Sequence, residues 1–413
     1  MKRILLITGI LFAAAGLFAE GGIEFSGEVS ARGGVAAPWT ADDSAGRFTM
    51  GELSFTGTID AYYDNSSALA EGSVVYDAVN NSLDYSVDEL WVDYTESFWG
   101  IRIGRQKAVW GKADGIDIAN VLCPLDMSSL AAMTADDNKL GVDAVRFSLS
   151  GNQFTADAYW IPIFTPAVLP EEMTGQLEIE KPETAIWNGE YGLRVSGYFS
   201  TLDVSLYGFY GWDDNPFVNY AMDFQTTPPS VFASGSYERM AMIGADAALP
   251  IGETVLRLEA AFFPQRYFQK KSDSVITEIM TSGEADSSEK HNQLSALAGI
   301  DWMPEGWTLT AQYYCDYVFG DLEMLERADA FTHGATISVT KSLVNETLEL
   351  GFSGLLGFND FDSLISPSVK YSLSDQISVG AEAFIFIPGP ERNGKYGAYK
   401  DLSSLCLKAK FSF

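Results

Sequence analysis

The chain has only two histidines and three cysteines in 413 residues, and after its first 19 residues it has no long apolar run. Positive charge is also scarce: 26 Lys and Arg stand against 56 Asp and Glu, for a formal net charge of −30. Each shortage excludes something. A membrane-spanning helix needs about 20 apolar residues, so the body of the chain has no helical anchor. Three widely spaced cysteines, Cys123, Cys315 and Cys406, cannot form a full disulfide framework, and each is expected to behave as a small apolar residue. His291 and His333 are the only imidazoles, and neither is tied in sequence to a Ser nucleophile; no catalytic residue is assigned and no enzyme is expected. So acidic a chain does not bind nucleic acid through its phosphates. The acidic pairs Asp42-Asp43, Asp136-Asp137, Asp213-Asp214 and Asp360…Asp362 lack EF-hand spacing. They read as solvated loops, and neither a metal nor a cofactor is expected.

Residues 1–19 are what is present at the start. Lys2 and Arg3, the apolar run Ile4 to Leu11 and the small residues before Ala19 read as a secretory signal peptide. Its removal takes the formal charge to about −32. An exported chain without a helical anchor is either soluble outside the cytoplasm or a barrel. The C-terminus favours the barrel. Leu405, Leu407, Ala409, Phe411 and Phe413 share one face of a strand, while Cys406, Lys408, Lys410 and Ser412 share the other. A greasy face, a polar face and a terminal aromatic suit the closing strand of a transmembrane barrel.

The same period-2 alternation recurs throughout residues 20–413. Leu202, Val204 and Leu206 oppose Asp203, Ser205 and Tyr207, and Leu90, Val92 and Tyr94 oppose Glu89, Trp91 and Asp93. No stretch of helical period stands out. Eighteen such segments can be drawn, with 16 as the fallback, which predicts an all-β fold: one transmembrane antiparallel β-barrel domain. After even-numbered segments the links are tight, as at Glu96-Ser97, Gly151-Asn152 and Ile251-Gly252. After most odd-numbered ones they are long, at 36–47, 110–138, 164–188, 214–234, 267–290 and 388–400. Short periplasmic turns and long external loops are the asymmetry of outer-membrane barrels. The 267–290 link, with Lys270-Lys271 and the acidic stretch 284–289, reads as a mobile external loop.

The third external link, 110–138, carries Ile116, Ile118, Val121, Leu122, Leu125, Leu130 and Met133. So apolar a segment either folds down against the inner wall or forms a compact lid over the mouth. Asp126 is positioned to cap a short helix over 127–133. Basic residues concentrate here, at Arg102, Arg105, Lys107 and Lys112, near Asp114, Asp117 and Asp126. Opposed charges across a constriction would select small polar solutes, so these seven are the candidate constriction residues. Parity raises a difficulty. Ile101 and Ile103 point toward lipid, which sends Arg105 the same way, so Arg105 either lies above the lipid or is turned inward by a bulge near Gly104.

The string Gly104-Arg105-Gln106, Trp110-Gly111, Asn120, Pro124, Asp126 and Ser128 resembles the signature of DUF1302-type proteins and their spirochaetal relatives. Cys123 departs from the Asn that many relatives place before the proline. The resemblance covers about 28 residues and implies an outer-membrane barrel of the wider porin superfamily. It implies placement in the cell outer membrane more than it implies a solute.

These observations lead to a porin-like channel for passive diffusion of small hydrophilic solutes or cations. The expected partners are outer-membrane lipid, small polar solutes and the barrel-assembly machinery, which would read Phe413 as its signal. The competing expectation is a surface adhesin acting through its long loops, which carry Trp187, Phe217, Tyr220, Phe224 and Phe232.

Overall fold

The computed structural model describes residues 21–413 apart from 42, 135, 136, 176, 227, 228, 392 and 393. The segment 1–19, Asp42 and Asp136 lie outside the described residues. Eighteen strands form a single sheet: β1 (Gly22–Ala36), β2 (Phe48–Tyr63), β3 (Ser66–Asp77), β4 (Ser82–Thr95), β5 (Trp99–Gln106), β6 (Val142–Ser150), β7 (Phe154–Ile161), β8 (Glu190–Tyr198), β9 (Asp203–Trp212), β10 (Arg239–Ile251), β11 (Thr254–Gln269), β12 (Ser288–Trp302), β13 (Trp307–Val318), β14 (Phe331–Leu343), β15 (Leu348–Gly357), β16 (Asp362–Ser372), β17 (Ile377–Ile387) and β18 (Ser404–Ser412). Each strand pairs antiparallel with its chain neighbour, and β18 pairs with β1, so the sheet has no edge. Closure is what a sheet needs in lipid, where an unpaired backbone N–H or C=O costs several kcal/mol.

Alternation fixes which way each side chain points. On β9 to β11, Leu206, Ile243 and Leu258 face outward at 63%, 66% and 58% exposure, while their neighbours Tyr207, Met242 and Glu259 are buried inside at 4%, 1% and 3%. The outer surface is thus greasy and the inner one holds the polar groups. Aromatics collect outside near the tight-turn end, where Trp99 packs between Tyr94 and Phe147, and Phe154 meets Phe199. Phe413 lies at this end too. Its backbone exchanges two 2.9 Å bonds with Gly27, and its ring packs on Phe25 and Phe411. Leu405, Leu407 and Phe411 are exposed on the outside and Cys406 is buried inside, which directs Lys408 and Lys410 inward. Lys410 pairs there with Glu28.

Several links contain structure that alternation did not predict, two of them prominently. The 267–290 link is not a loop throughout. β11 and β12 extend to Gln269 and Ser288, and an eleven-residue helix, α2 (Ser272–Ser282), bridges them with Val275 and Ile279 buried one turn apart. Within the 214–234 link, Phe217–Asp223 and Ser230–Ser236 form a hairpin to which Glu178–Ile179 adds a third short strand. The three cysteines are all free thiols.

Candidate functional site: the link between β5 and β6

The segment 107–141 packs against side chains that point into the barrel. The deciding contact is Glu259 on β11. One of its oxygens accepts the backbone N–H groups of Lys112 (2.6 Å) and Ala113 (2.9 Å), and the other accepts that of Ala119 (2.7 Å). Gln312 on β13 clasps Asp114 from both sides, taking its N–H at 3.0 Å and donating to its carbonyl at 2.7 Å. Arg257 donates to the Lys112 carbonyl at 2.9 Å and pairs with Asp301 at 2.5 Å. The Tyr207 hydroxyl accepts from Gly111 N–H and donates to Asp246. Around these polar contacts lies an apolar cluster. Ala108, Trp110, Ile118, Val121, Leu122 and Cys123 of the link meet Tyr159, Ile161, Phe209, Met240, Met242, Phe263 and Leu297 of the wall.

The second half of the link crosses to the opposite wall. It carries one helical turn, α1 (Leu130–Met133), capped by Ser129, whose hydroxyl accepts from Ala132 N–H. The expected cap, Asp126, does something else. Its backbone N–H and that of Met127 bond across to Asn138 and Val168, and its carboxylate takes the Ser128 N–H at 2.9 Å. The chain at 126–127 is therefore extended, and the helix starts three residues later. Arg32 of β1 closes the other end, donating to the Ala131 carbonyl and the Thr134 hydroxyl at 2.9 and 3.0 Å. Leu130 and Ala131 pack with Met50, Phe384, Phe386 and Cys406. Tyr396 of the β17–β18 link joins them, because Asp362 takes its N–H and that of Gly397. That burial corrects the reading of Asp362 as a solvated acid. The same holds for Asp213, which is buried and receives Arg266 at 2.7 and 2.8 Å.

The motif residues now have physical roles. Gly104 has φ +129°, and a Cβ there would lie 2.1 Å from the Leu90 carbonyl. Gln106 is buried and donates to Ala144 O at 3.0 Å, tying β5 to β6. Trp110 stacks on Tyr207 with centroids 5.0 Å apart. Gly111 has φ +94°, and a Cβ there would fall 2.5 Å from Glu259 Oε1, so only glycine lets the backbone reach that carboxylate. Asn120 Oδ1 accepts from Trp110 N–H, Pro124 is fully buried and Cys123 Sγ accepts from Ala108 N–H at 3.1 Å. Burial pushes the Cys123 thiol up to about 11, so it stays protonated and inert at neutral pH.

Among the charged candidates, the parity question is settled by register. Arg105 stands opposite Asp143, whose neighbours Val142 and Ala144 are buried inside, so both point outward. They pair at 2.9 Å on the outer surface. No register shift at Gly104 turns Arg105 inward. Arg102 faces in, lying 3.6 Å over the Trp91 ring and pairing with buried Asp93 at 3.0 Å; Arg146 shares Asp93 at 3.3 Å. Lys107 pairs with Asp137 at 2.7 Å, and Asp117 pairs with Lys139 at 2.9 Å. Burial pulls the Lys107 ammonium down, but Asp137, Asp88 and Glu71 outweigh it and hold it above the usual range. Lys112 and Asp114 are fixed by their backbones. Sequence reading missed the anchors Glu259, Gln312, Tyr207 and Arg32. Their only signal was inward parity in strands whose other face is apolar. His291 bonds the Phe319 carbonyl at 2.8 Å, and His333 meets the Tyr313 hydroxyl at 3.0 Å.

A family model described as "Protein of unknown function (DUF1302)" matches residues 82–372, well over half of the chain. The chain belongs to the DUF1302 family. No curated protein matches it. Among solved structures, it aligns with OccK8 (OprE) of Pseudomonas aeruginosa at TM-score 0.56 and 9% identity, covering 95% of this chain and 98% of that one. OccAB1 of Acinetobacter baumannii gives 0.55 at 9%, covering 95% and 96%, and OccAB3 of the same organism gives 0.52 at 8%, covering 96% and 99%. At such identity the likeness is one of fold: the DUF1302 chain folds as a porin-like β-barrel.

Proposed function

We propose that the protein is a passive channel for small hydrophilic solutes and cations, with the 107–141 link as its constriction. The observation that carries the reading is the Glu259 carboxylate, which anchors the link inside a barrel of 18 strands, a size at which porins hold water. The wall beside the link carries charges of both signs on four neighbouring strands. Glu71 of β3 and Asp88 and Glu89 of β4 supply acid near the start of the link, with the Lys107 ammonium drawn toward Glu71 and Asp88. Arg102 of β5 and Arg146 of β6 stand on the adjoining strands and share Asp93. Lys112, Asp114, Asp117 and Asp126 line the link itself; Arg105 is outside this set. Charged side chains lining a narrowed passage hold polar solutes and small ions, and the excess of acid favours cations.

In planar bilayers the refolded protein is expected to conduct, with a reversal potential in a KCl gradient showing cation preference. Lys107→Glu should strengthen that preference and Arg102→Ala should shift it. Anion preference in the wild type would overturn the reading. Arg105→Ala should leave conductance and selectivity unchanged, because the Arg105–Asp143 pair lies on the outer surface, away from the lumen. We also propose that Phe413 is the assembly signal, read by the machinery that inserts barrels into the lipid.

A second reading, docking through the outer links, draws on the exposure of Trp187, Phe224 and Phe232 at 74%, 53% and 55%. Ligand binding by peptides of 164–188 and 214–234 would favour it over the channel.

A further inference from the structure

Beside the anchored link lies a partly open chamber of about 230 Å³, lined by the outer ends of β10 and β11, the link from Asp117 to Met127, Ala167 and residues 213–215. At about 30 Å³ per water, it has room for a solute of four to six heavy atoms together with some water. Its charges nearly cancel. Asp213 is neutralised by Arg266, which also bonds Gln293, and Asp117 by Lys139. One carboxylate is left over. Among the described residues, the Asp214 side chain has neither a hydrogen bond nor an ion pair; only its backbone carbonyl is engaged, by Ala167 N–H. The remaining lining is apolar: Ile118, Val121, Leu125, Met127, Met240 and Phe263. A second polar group in the lining is also unsatisfied. The Asn120 Nδ2 is sealed from solvent and has no acceptor, and an unmet buried donor costs about 1–3 kcal/mol.

We propose that this chamber binds a small primary ammonium compound with a short aliphatic body. The ammonium donates to Asp214, whose side chain has no ion-pair partner of its own among the described residues. The body lies against Met127, Val121, Met240 and Phe263. The assignment rests on the channel reading only in placing the site along a solute route; the binding itself does not require conduction. Burial, with the facing carboxyls of Glu190 and Asp213, pushes the Asp214 carboxyl well up, and Arg266 only partly offsets this. In the empty chamber that acid holds its proton longer than a free carboxylate would, and an incoming ammonium displaces it. Asp117, Lys139, Asp213, Arg266 and Glu190 are the other charged groups facing it. Affinity should therefore rise from acid toward neutral pH.

The test is titration calorimetry of the refolded full barrel in detergent with n-butylammonium, 1-butanol and butyrate, alongside KCl conductance of the same preparation. Butylammonium should bind and release a proton. Butanol and butyrate should not bind, and Asp214→Asn should weaken butylammonium about tenfold or more, the weight of one charge-assisted bond. Met127→Trp, which fills the chamber without touching the carboxylate, should also abolish binding while the barrel stays folded. Equal binding of butanol, or unchanged binding by Asp214→Asn, overturns the site. Loss of KCl conductance with binding intact overturns the channel instead.

Discussion

Glu259→Ala should raise the single-channel conductance severalfold and make Cys123 reactive to maleimide. Three backbone N–H groups end on this one carboxylate. Bonds to a charged acceptor contribute about 1.5–3 kcal/mol each, and stranding the donors in a buried site adds a desolvation cost. The loss therefore outweighs what the neighbouring Gln312 and Arg257 contacts can hold, and the 111–119 segment leaves the wall. Glu259→Gln should show a smaller change in the same direction, since one amide oxygen can still accept. Cys123 is the internal reporter, because it is buried against Ala108 and its thiol is held up to about 11. Labelling in a background with Cys315 and Cys406 replaced should be slow in the otherwise unchanged chain and fast in Glu259→Ala. Slow labelling in both, with equal conductance, would mean that the link is held elsewhere.

Gly104→Val should abolish recovery of heat-resistant folded barrel. The glycine sits at φ +129°, and an added Cβ would be 2.1 Å from the Leu90 carbonyl and 2.8 Å from the Trp91 Cα. Both are backbone atoms of the neighbouring strand, so nothing flexible can yield. Relief would require breaking the β4–β5 ladder, which lies immediately before the inward link. Ile103, the preceding residue of the strand, is 54% exposed on the outer face, so Ile103→Ala serves as the control and should refold. Refolding of Gly104→Val with normal strand content would show that the β4–β5 register differs from the one described.

The barrel was legible because its physics is periodic. Lipid on one side and polar groups on the other impose period 2 on every strand, and the turn asymmetry supplies the count independently. That logic also placed Lys408 and Lys410 inside. It ends where the chain leaves the wall. α2 has only Val275 and Ile279 as buried anchors and no side-chain cap at Lys271, too little for a helical stripe to stand out in an acidic link. In Asp126-Met127-Ser128-Ser129, three residues can cap, and the choice of Ser129 follows from a bridge to Val168 that only the folded chain reveals. Glu259 looked like one inward acid among many. Its role depends on Gly111 being presented to it from 148 positions earlier in the chain, a juxtaposition no local pattern encodes. The motif at 104–128 could be recognised before it could be explained. It holds a segment of chain to the inner wall, and several of its residues are there for backbone access rather than for charge.

The most direct test is planar-bilayer recording of the barrel with 110–138 replaced by a short Gly-Ser turn. Removing the link leaves an unobstructed barrel, so the account predicts a stable pore with larger unit conductance than the intact protein and weakened cation preference. A folded barrel that does not conduct, or that conducts as the intact protein does, would contradict it.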